Sequence, residues 1–303
     1  MKESKLQELS RKILNMFPFI AWIFNYFYGF YCQISFYISG VSHSKNSTPI
    51  IIYQMGKVGS SSIKKALQDQ KLPVFHIHYL TEEKIKHVRT GKSFPKRPFY
   101  AKHYWESKYL LRYIKNNKKQ NSRWKVITLV RDPIARNISG FFQVIRWLIP
   151  DFERRYKKGL IKFEILRELF LSRYEHNTVL EWLDLEIKRV LCINVYKNAF
   201  PILKGFQIYR SPKADLLLLR VENMQQCAQS ALQNFLGINH LDIQPTNQAV
   251  KKGYANAYSE FLSRISLPNW YIDHMYTSKY AKHFYSRLEL QEFRIKWQHM
   301  LFT

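Results

Sequence analysis

Residues 48–64 read TPIIIYQMGKVGSSSIK, and they decide how the rest of the chain is read. Ile50 to Met55 is a run of β-branched and apolar residues, the pattern of a buried strand. It stops at Gly56, and a turn follows through Lys57, Val58 and Gly59 to Ser60, Ser61 and Ser62. Ile63, Ala66 and Leu67 then open a helical pattern. Strand, glycine-bearing turn and helix start together make an anion site. Glycine lets backbone approach a ligand, the N–H groups of the first helical turn point at it, and the helix dipole favours negative charge there. Lys57 adds a full positive charge, and the serines add hydroxyl donors.

The order of residues separates this turn from a nucleotide-hydrolase loop, in which Lys follows the second glycine of G-x-x-x-x-G-K-[ST]. Here Lys57 precedes Gly59. A second segment, residues 125–142, reads KVITLVRDPIARNISGFF. Val126 to Val130 is another buried-strand run. Arg131-Asp132-Pro133 ends it, and Pro133 suits the first position of a helix. Ile134, Ile138, Phe141 and Phe142 recur at helical spacing. Arg131 therefore leaves the carboxyl end of a strand, and Ser139 lies about two turns into the helix. A guanidinium grips phosphate oxygens with two prongs, and a hydroxyl adds a donor. The plainer alternative is that Arg131 pairs with a carboxylate and Ser139 is surface.

The two segments together resemble the P-loop sulfotransferase superfamily. In its 5′-phosphosulfate loop a Lys precedes a Gly and hydroxyl residues. In a later strand–RDP–helix segment, an Arg and a Ser eight residues on hold the 3′-phosphate. More narrowly, QMGKVGSSSI, LVRDPIARNISGFF, LEWLDLEIKRVL and AKHFYS are similar to a capsular-polysaccharide-synthesis branch, over roughly residues 48–303. The resemblance implies a P-loop-type three-layer α/β sandwich whose central, mostly parallel sheet is flanked by helices. It implies 3′-phosphoadenosine 5′-phosphosulfate as donor, adenosine 3′,5′-bisphosphate as product and no metal. The acceptor would be a hydroxyl, most naturally on a polysaccharide sugar.

By the same resemblance Lys57 is the cation at the leaving oxygen. The loop Lys57, Val58, Gly59, Ser60, Ser61 and Ser62 holds the phosphosulfate, while Arg131 and Ser139 hold the 3′-phosphate. Lys252 and Gly253, in KKGY at 251–254, form a lid, with a solvated charge pair before a helix as the plain alternative. The general base is His103, in PFYAKHYW, as in glycan sulfotransferases with a Phe-Tyr-x-x-His segment. A histidine suits that role because its pKa lies near working pH. His76 and His78 alternate on a strand and face one side, so either is a substitute base. Glu222, after the apolar run DLLLLRV, is similar to a strand–Glu segment of related enzymes or is simply a helix N-terminal charge.

Composition bounds the rest. The 303 residues suffice for one large α/β domain, residues 47–303, and 46% hydrophobic content demands a packed core. Lys and Arg outnumber Asp and Glu 48 to 22, a net charge of +26, which calls for an anionic partner. No zinc-finger or RNP-type pattern is present, and the basic residues are spread along the chain, so nucleic acid is not expected. The three cysteines, Cys32, Cys192 and Cys227, lack a C-x-x-C pair, which argues against a disulfide framework or a cysteine metal site. Cys192 and Cys227 read as small buried apolar residues.

Residues 1–46 form a separate segment. After a charged start, MKESKLQELSRK, residues 13–42 carry no charged side chain and are rich in aromatics. Three readings fit: a membrane-associated or single-span anchor, amphipathic helices packed on the domain, or a signal sequence. The protein is accordingly expected to be membrane-associated or cytoplasmic. HSKNST, at 43–48, reads as a linker and 90–99 as a basic loop. Pro73–Tyr79 and Asp215–Val221 read as further strands, Thr81 caps a helix to about Arg89, and residues 105–119, 160–191 and the last 50 read as helical. Two rival functions remain on this reading. One is a nucleotide-dependent kinase, for which Asp132 is the only near metal-binding carboxylate. The other is a non-catalytic polyanion-binding protein of capsule assembly.

Overall fold

The computed structural model describes residues 18–36, 50–89, 102–116, 123–244 and 252–298. The charged start, the linker at 43–48, the basic loop at 90–99 and Lys251 lie outside the described residues. The four apolar runs become parallel strands: β1 (Ile50–Tyr53), β2 (Val74–Ile77), β3 (Trp124–Val130) and β5 (Ala214–Arg220). A fifth, β4 (Phe206–Arg210), is antiparallel to β5 at the sheet edge, pairing Phe206 with Leu219 and Arg210 with Asp215. The sequence pattern of residues 206–210 gives no strand signal there. FQIYR is short and only partly buried, and the Ser211-Pro212-Lys213 turn behind it holds the hairpin through Ser211 N–H to the Ala214 carbonyl at 2.9 Å.

The order across the sheet is β2-β1-β3-β5-β4. Ile51 sits between Phe75 of β2 and Val126 of β3. The chain thus leaves β1 to one side for β2 and returns to the other side for β3. Such a reversal opens a crevice at the carboxyl ends of the strands, where open α/β sheets bind ligands. The turns after β1 and β3 both emerge there. The expected mixed α/β fold, with a mostly parallel sheet flanked by helices, is what forms.

Helix α2 (Ser60–Asp69) turns Ile63, Ala66 and Leu67 inward, as the spacing requires. Helices α3 (Glu82–Arg89) and α4 (Lys102–Asn116) connect β2 to β3. Helix α5 (Pro133–Leu148) buries Ile134, Ile138, Phe141, Phe142 and Ile145. Its first turn is capped by Asp132, whose Oδ1 accepts from Ile134 N–H at 3.0 Å, with Pro133 just inside. Beyond it lie α6 (Phe152–Lys157), α7 (Phe163–Arg173) and α8 (Thr178–Trp182). The last runs through a π-helical stretch, Leu183–Lys188, into the turn α9 (Arg189–Leu191). After β5 come α10 (Met224–Leu236), α11 (Ala255–Arg264), α12 (Asn269–Tyr276), α13 (Lys279–Phe284) and α14 (Arg287–Gln298).

Part of the uncharged aromatic stretch is a single helix, α1 (Pro18–Phe36), and it packs against α4. Gly29 makes the contact possible: a Cβ there would lie 2.6 Å from the Trp105 ring. Tyr109 donates to the Gly29 carbonyl at 2.8 Å, and Cys32 is buried. Of the three sequence readings, packing on the domain describes this helix. Among the described residues no helix is long and apolar enough to cross a membrane. Cys227 is buried as expected, but Cys192 is exposed. It terminates α9 with φ 58°, in the left-handed conformation that ends helices, and this turns it outward.

Candidate functional site

The turn after β1 adopts left-handed backbone at Gly56 (φ 84°), Lys57 (φ 65°) and Gly59 (φ 73°). For the glycines this is free; for Lys57 it costs about 1–2 kcal/mol, the kind of strain retained where a turn has a task. An added Cβ at Gly59 would meet nothing closer than 3.8 Å, so conformation, not space, selects glycine. Gly59 is the N-cap of α2 and supplies no side-chain cap. The first-turn N–H groups of α2 therefore open at the carboxyl end of β1.

Three side chains hold the turn in shape. Gln54 Oε1 accepts from Gly56 N–H in a very short contact. Arg131 donates to the Lys57 carbonyl at 3.1 Å. Arg136, buried in the first turn of α5, donates to the Met55 carbonyl at 2.9 Å, the Gly56 carbonyl at 3.3 Å and Tyr174 Oη at 3.2 Å. Lys57, Arg131, Arg136 and Lys252 gather around this turn, and among the described residues none of them is in an ion pair. Burial, then Lys252, Arg131 and Arg136, depress the Lys57 amine to about 8. The Lys252 amine is also lowered, by burial and by Arg146. A site that concentrates cations outside any ion pair in this way can attract and hold an anion.

A histidine cluster adjoins it on the β2 side. His76 Nε2 lies 2.9 Å from Gln54 Nε2 and 3.0 Å from Ser60 Oγ. Because Gln54 Oε1 is taken by Gly56, its amide nitrogen donates, so His76 Nε2 accepts and its proton sits on Nδ1. His78 Nδ1 lies between two groups of Gln54, 3.0 Å from its carbonyl and 3.1 Å from its amide nitrogen. Burial first, then neighbouring positive charge, lowers His76 to about 3; burial lowers His78 to about 4. Both are neutral at pH 7. The ring of His103, on α4, lies 4.6 Å from that of His78. The sequence candidates for the base are thus neighbours. His76 has its lone pair committed to Gln54 and Ser60. Glu106, buried on α4 and pushed up by that burial, accepts from the His76 backbone along the edge of β2.

The Arg131-Asp132 turn is held from the C-terminal helices. Tyr280 Oη accepts from Arg131 N–H at 3.0 Å and donates to its carbonyl at 2.9 Å. Glu222 accepts from Asp132 N–H at 2.8 Å and from Tyr285 Oη at 3.2 Å. Asp132 accepts from Tyr276 Oη at 2.9 Å and Trp297 Nε1 at 3.2 Å. The turn after β2 is held by Glu186, in the π-helical stretch. Its carboxylate accepts from Tyr53 Oη, from Leu80 N–H at 2.8 Å, from Thr81 N–H at 3.1 Å and from Thr81 Oγ1 at 2.7 Å. Trp182 donates to the His78 carbonyl at 2.8 Å. Tyr174, Trp182, Glu186, Glu222, Tyr276, Tyr280 and Tyr285 all lie in one long downstream segment.

That segment has relatives. Residues 157–286 match a family described as "Putative capsular polysaccharide synthesis protein". No curated protein and no solved structure gives a match. The matched residues include Tyr174, Trp182, Glu186, Glu222, Tyr276, Tyr280 and Tyr285, together with Lys252 and Gly253, while Trp297 lies beyond them. The turn at 57–62 and the Arg131–Ser139 segment lie outside them.

The remaining sequence candidates fall as follows. Val58 is wholly buried, so only its backbone is available to a ligand. Ser60 is turned to His76, Ser61 is half-buried and Ser62 buried. Ser139 is half-buried on α5, about two turns from Arg131. Gly253 is exposed, and a Cβ there would lie 3.1 Å from Arg146 and Glu153, which are ion-paired. Asp132 and Glu222 serve the backbone. Among the described residues no group of three or more His, Cys, Asp or Glu is placed to hold a metal ion. Arg136 and Gln54 went unremarked in the sequence. The only signal was a second arginine five residues after Arg131 and an amide at the strand end.

Proposed function

We propose that this chain is a sulfotransferase of capsular polysaccharide synthesis, moving a sulfuryl group from 3′-phosphoadenosine 5′-phosphosulfate to a sugar hydroxyl. The feature that carries the reading is the cationic turn after β1, where Arg131 donates to the Lys57 carbonyl and Arg136 to those of Met55 and Gly56 at the crevice of the sheet. The match of residues 157–286 supports the glycan end of the proposal. In the reaction the acceptor oxygen bonds to sulfur while the bond from sulfur to the bridging oxygen breaks, and adenosine 3′,5′-bisphosphate leaves with that electron pair. Lys57 and the first-turn N–H groups of α2 neutralise the charge that grows on the leaving oxygen. Arg131 grips a phosphate whose charge is constant through the step. The hydroxyl proton passes to a histidine lone pair, on His78 or His103.

The test is a thermal-shift panel. Adenosine 3′,5′-bisphosphate at about 100 times its Kd adds roughly 2.7 kcal/mol of stability. ATP without a 3′-phosphate adds far less, and Arg131→Ala weakens the bisphosphate by about 1.5–3 kcal/mol. Equal stabilisation by ATP with magnesium would turn the reading to a kinase, and a response to heparin alone would turn it to a polyanion-binding protein. The kinase reading gains nothing from Asp132, whose two oxygens already serve Ile134, Tyr276 and Trp297.

A further inference from the structure

We infer that the outer face of α1 is a docking surface for an anionic lipid bilayer, with the helix lying in the plane of the interface. The face is defined by exposure: Phe19, Tyr26, Phe27, Phe30, Tyr31 and Ile34 are between 43% and 70% exposed. At about 100° per residue they fall within an arc of roughly 140°. Gly29 and Cys32, which seat the helix on α4, fall on the opposite side. The domain therefore covers one face of α1 and leaves the aromatic one outward.

Charge and composition identify the occupant. Tyr and Phe side chains suit the boundary between headgroups and acyl chains better than the hydrocarbon centre. Asn25 and Gln33 dilute the helix, and among the described residues no helix is long and apolar enough to cross a membrane, so the aromatic face is presented sideways. On α4, Lys102, Lys108 and Arg112 stand at −3, +3 and +7 from Trp105, the residue beneath Gly29. They share the helical face on which α1 rests; Lys102 is ion-paired with the buried Glu106, so Lys108, over the Trp105 ring, and the exposed Arg112 carry the net positive charge of that face. The chain as a whole carries +26, and ahead of the helix in sequence Lys2, Lys5, Arg11 and Lys12 outnumber Glu3 and Glu8. An apolar stripe bordered by cations complements a bilayer with acidic headgroups. The inference uses none of the residues of the crevice and stands apart from the proposed reaction.

The experiment is co-sedimentation of the full chain with vesicles of phosphatidylcholine alone or mixed with phosphatidylglycerol. The full chain binds the mixed vesicles and releases in high salt. The triple variant Phe27→Ser/Phe30→Ser/Tyr31→Ser binds at least tenfold more weakly with an unchanged melting temperature, because those side chains are exposed. Arg112→Gln weakens binding about fivefold, the effect of about one basic residue. Phe27→Ser alone gives a partial loss and serves if the triple variant does not fold. Equal vesicle binding by wild type and variants overturns the proposal. So does failure of the wild type to bind either vesicle, or a concentration-dependent dimer that the triple variant abolishes, which would make the face an interface between two copies.

Discussion

If the cations around the turn at 54–59 are there for an anion, binding must be linked to the protonation of Lys57. Burial and the positive field of Lys252, Arg131 and Arg136 hold its amine at about 8. A bound phosphate reverses that field and pulls the proton back on. Only the protonated amine attracts the ligand, so Kd rises with pH as 1 + 10^(pH − 8). The factor is about 1.1 at pH 7 and about 11 at pH 9, a tenfold loss worth about 1.4 kcal/mol. An unperturbed lysine would produce almost none of this below pH 9. Adenosine 3′,5′-bisphosphate is a clean probe, because phosphate second ionisations near 6 are complete above pH 7. Calorimetry at pH 7, 8 and 9, in buffers of differing ionisation heat, measures both affinity and protons taken up. Lys57→Arg keeps the charge but cannot titrate, so it flattens the curve to the smaller slope left by Lys252, whose amine is lowered too. Equal affinity at pH 7 and 9 in the wild type, or an unchanged slope in Lys57→Arg, would refute the reasoning.

The same depressed amine makes Lys57 a burden on the fold. Its folded pKa lies below the unfolded value of about 10.4, so stability rises between pH 8 and about 10 as the proton is shed. Lys57→Met is therefore more stable than wild type to urea at pH 7, with the gap closing toward pH 10. Arg136→Met strands the Met55 and Gly56 carbonyls, costs about 1.5–3 kcal/mol and removes bisphosphate binding, both read in denaturant titrations with and without ligand. Asp132→Ala uncaps α5 and orphans Tyr276 and Trp297, lowering stability by about 2–4 kcal/mol, and magnesium has no effect on wild type or variant. Sulfuryl transfer from labelled donor falls roughly 10²–10⁴-fold in whichever of His78→Ala and His103→Ala removes the base, with bisphosphate affinity intact. His76→Ala, which frees Ser60, weakens bisphosphate binding instead, and normal transfer in both of the first two variants would exclude a histidine base.

Four strands were legible, three as apolar runs and β2 as an alternation of apolar residues with His76 and His78, and the structure ends them within two residues of where the composition does. The hairpin strand β4 was not, because its residues match no clean period and its pairing with β5 depends on the turn between them. The proximity of Lys57 to Arg131 follows from their places at the ends of adjacent strands, and that was readable. The role of Arg136 was not, since its partners are main-chain carbonyls some eighty residues away and carry no side-chain signature. Glu186 was equally hidden: LEWLDLEIKRVL reads as an ordinary amphipathic helix, and nothing in it announces a π-helical turn aimed at Thr81. Cys192 was misplaced because its exposure is set by where a helix stops.

The grip of Arg136 and Arg131 on the carbonyls of Met55, Gly56 and Lys57 is made wholly by groups of the chain itself. A turn braced at three successive carbonyls has little freedom to rearrange when an anion arrives. Association should then proceed in one kinetic phase, at a rate governed by encounter and accelerated by the positive field at the crevice mouth. The on-rate should fall steeply as ionic strength rises, while the off-rate hardly changes. A stopped-flow trace with a slow, salt-independent second phase would mean that the turn rearranges after all.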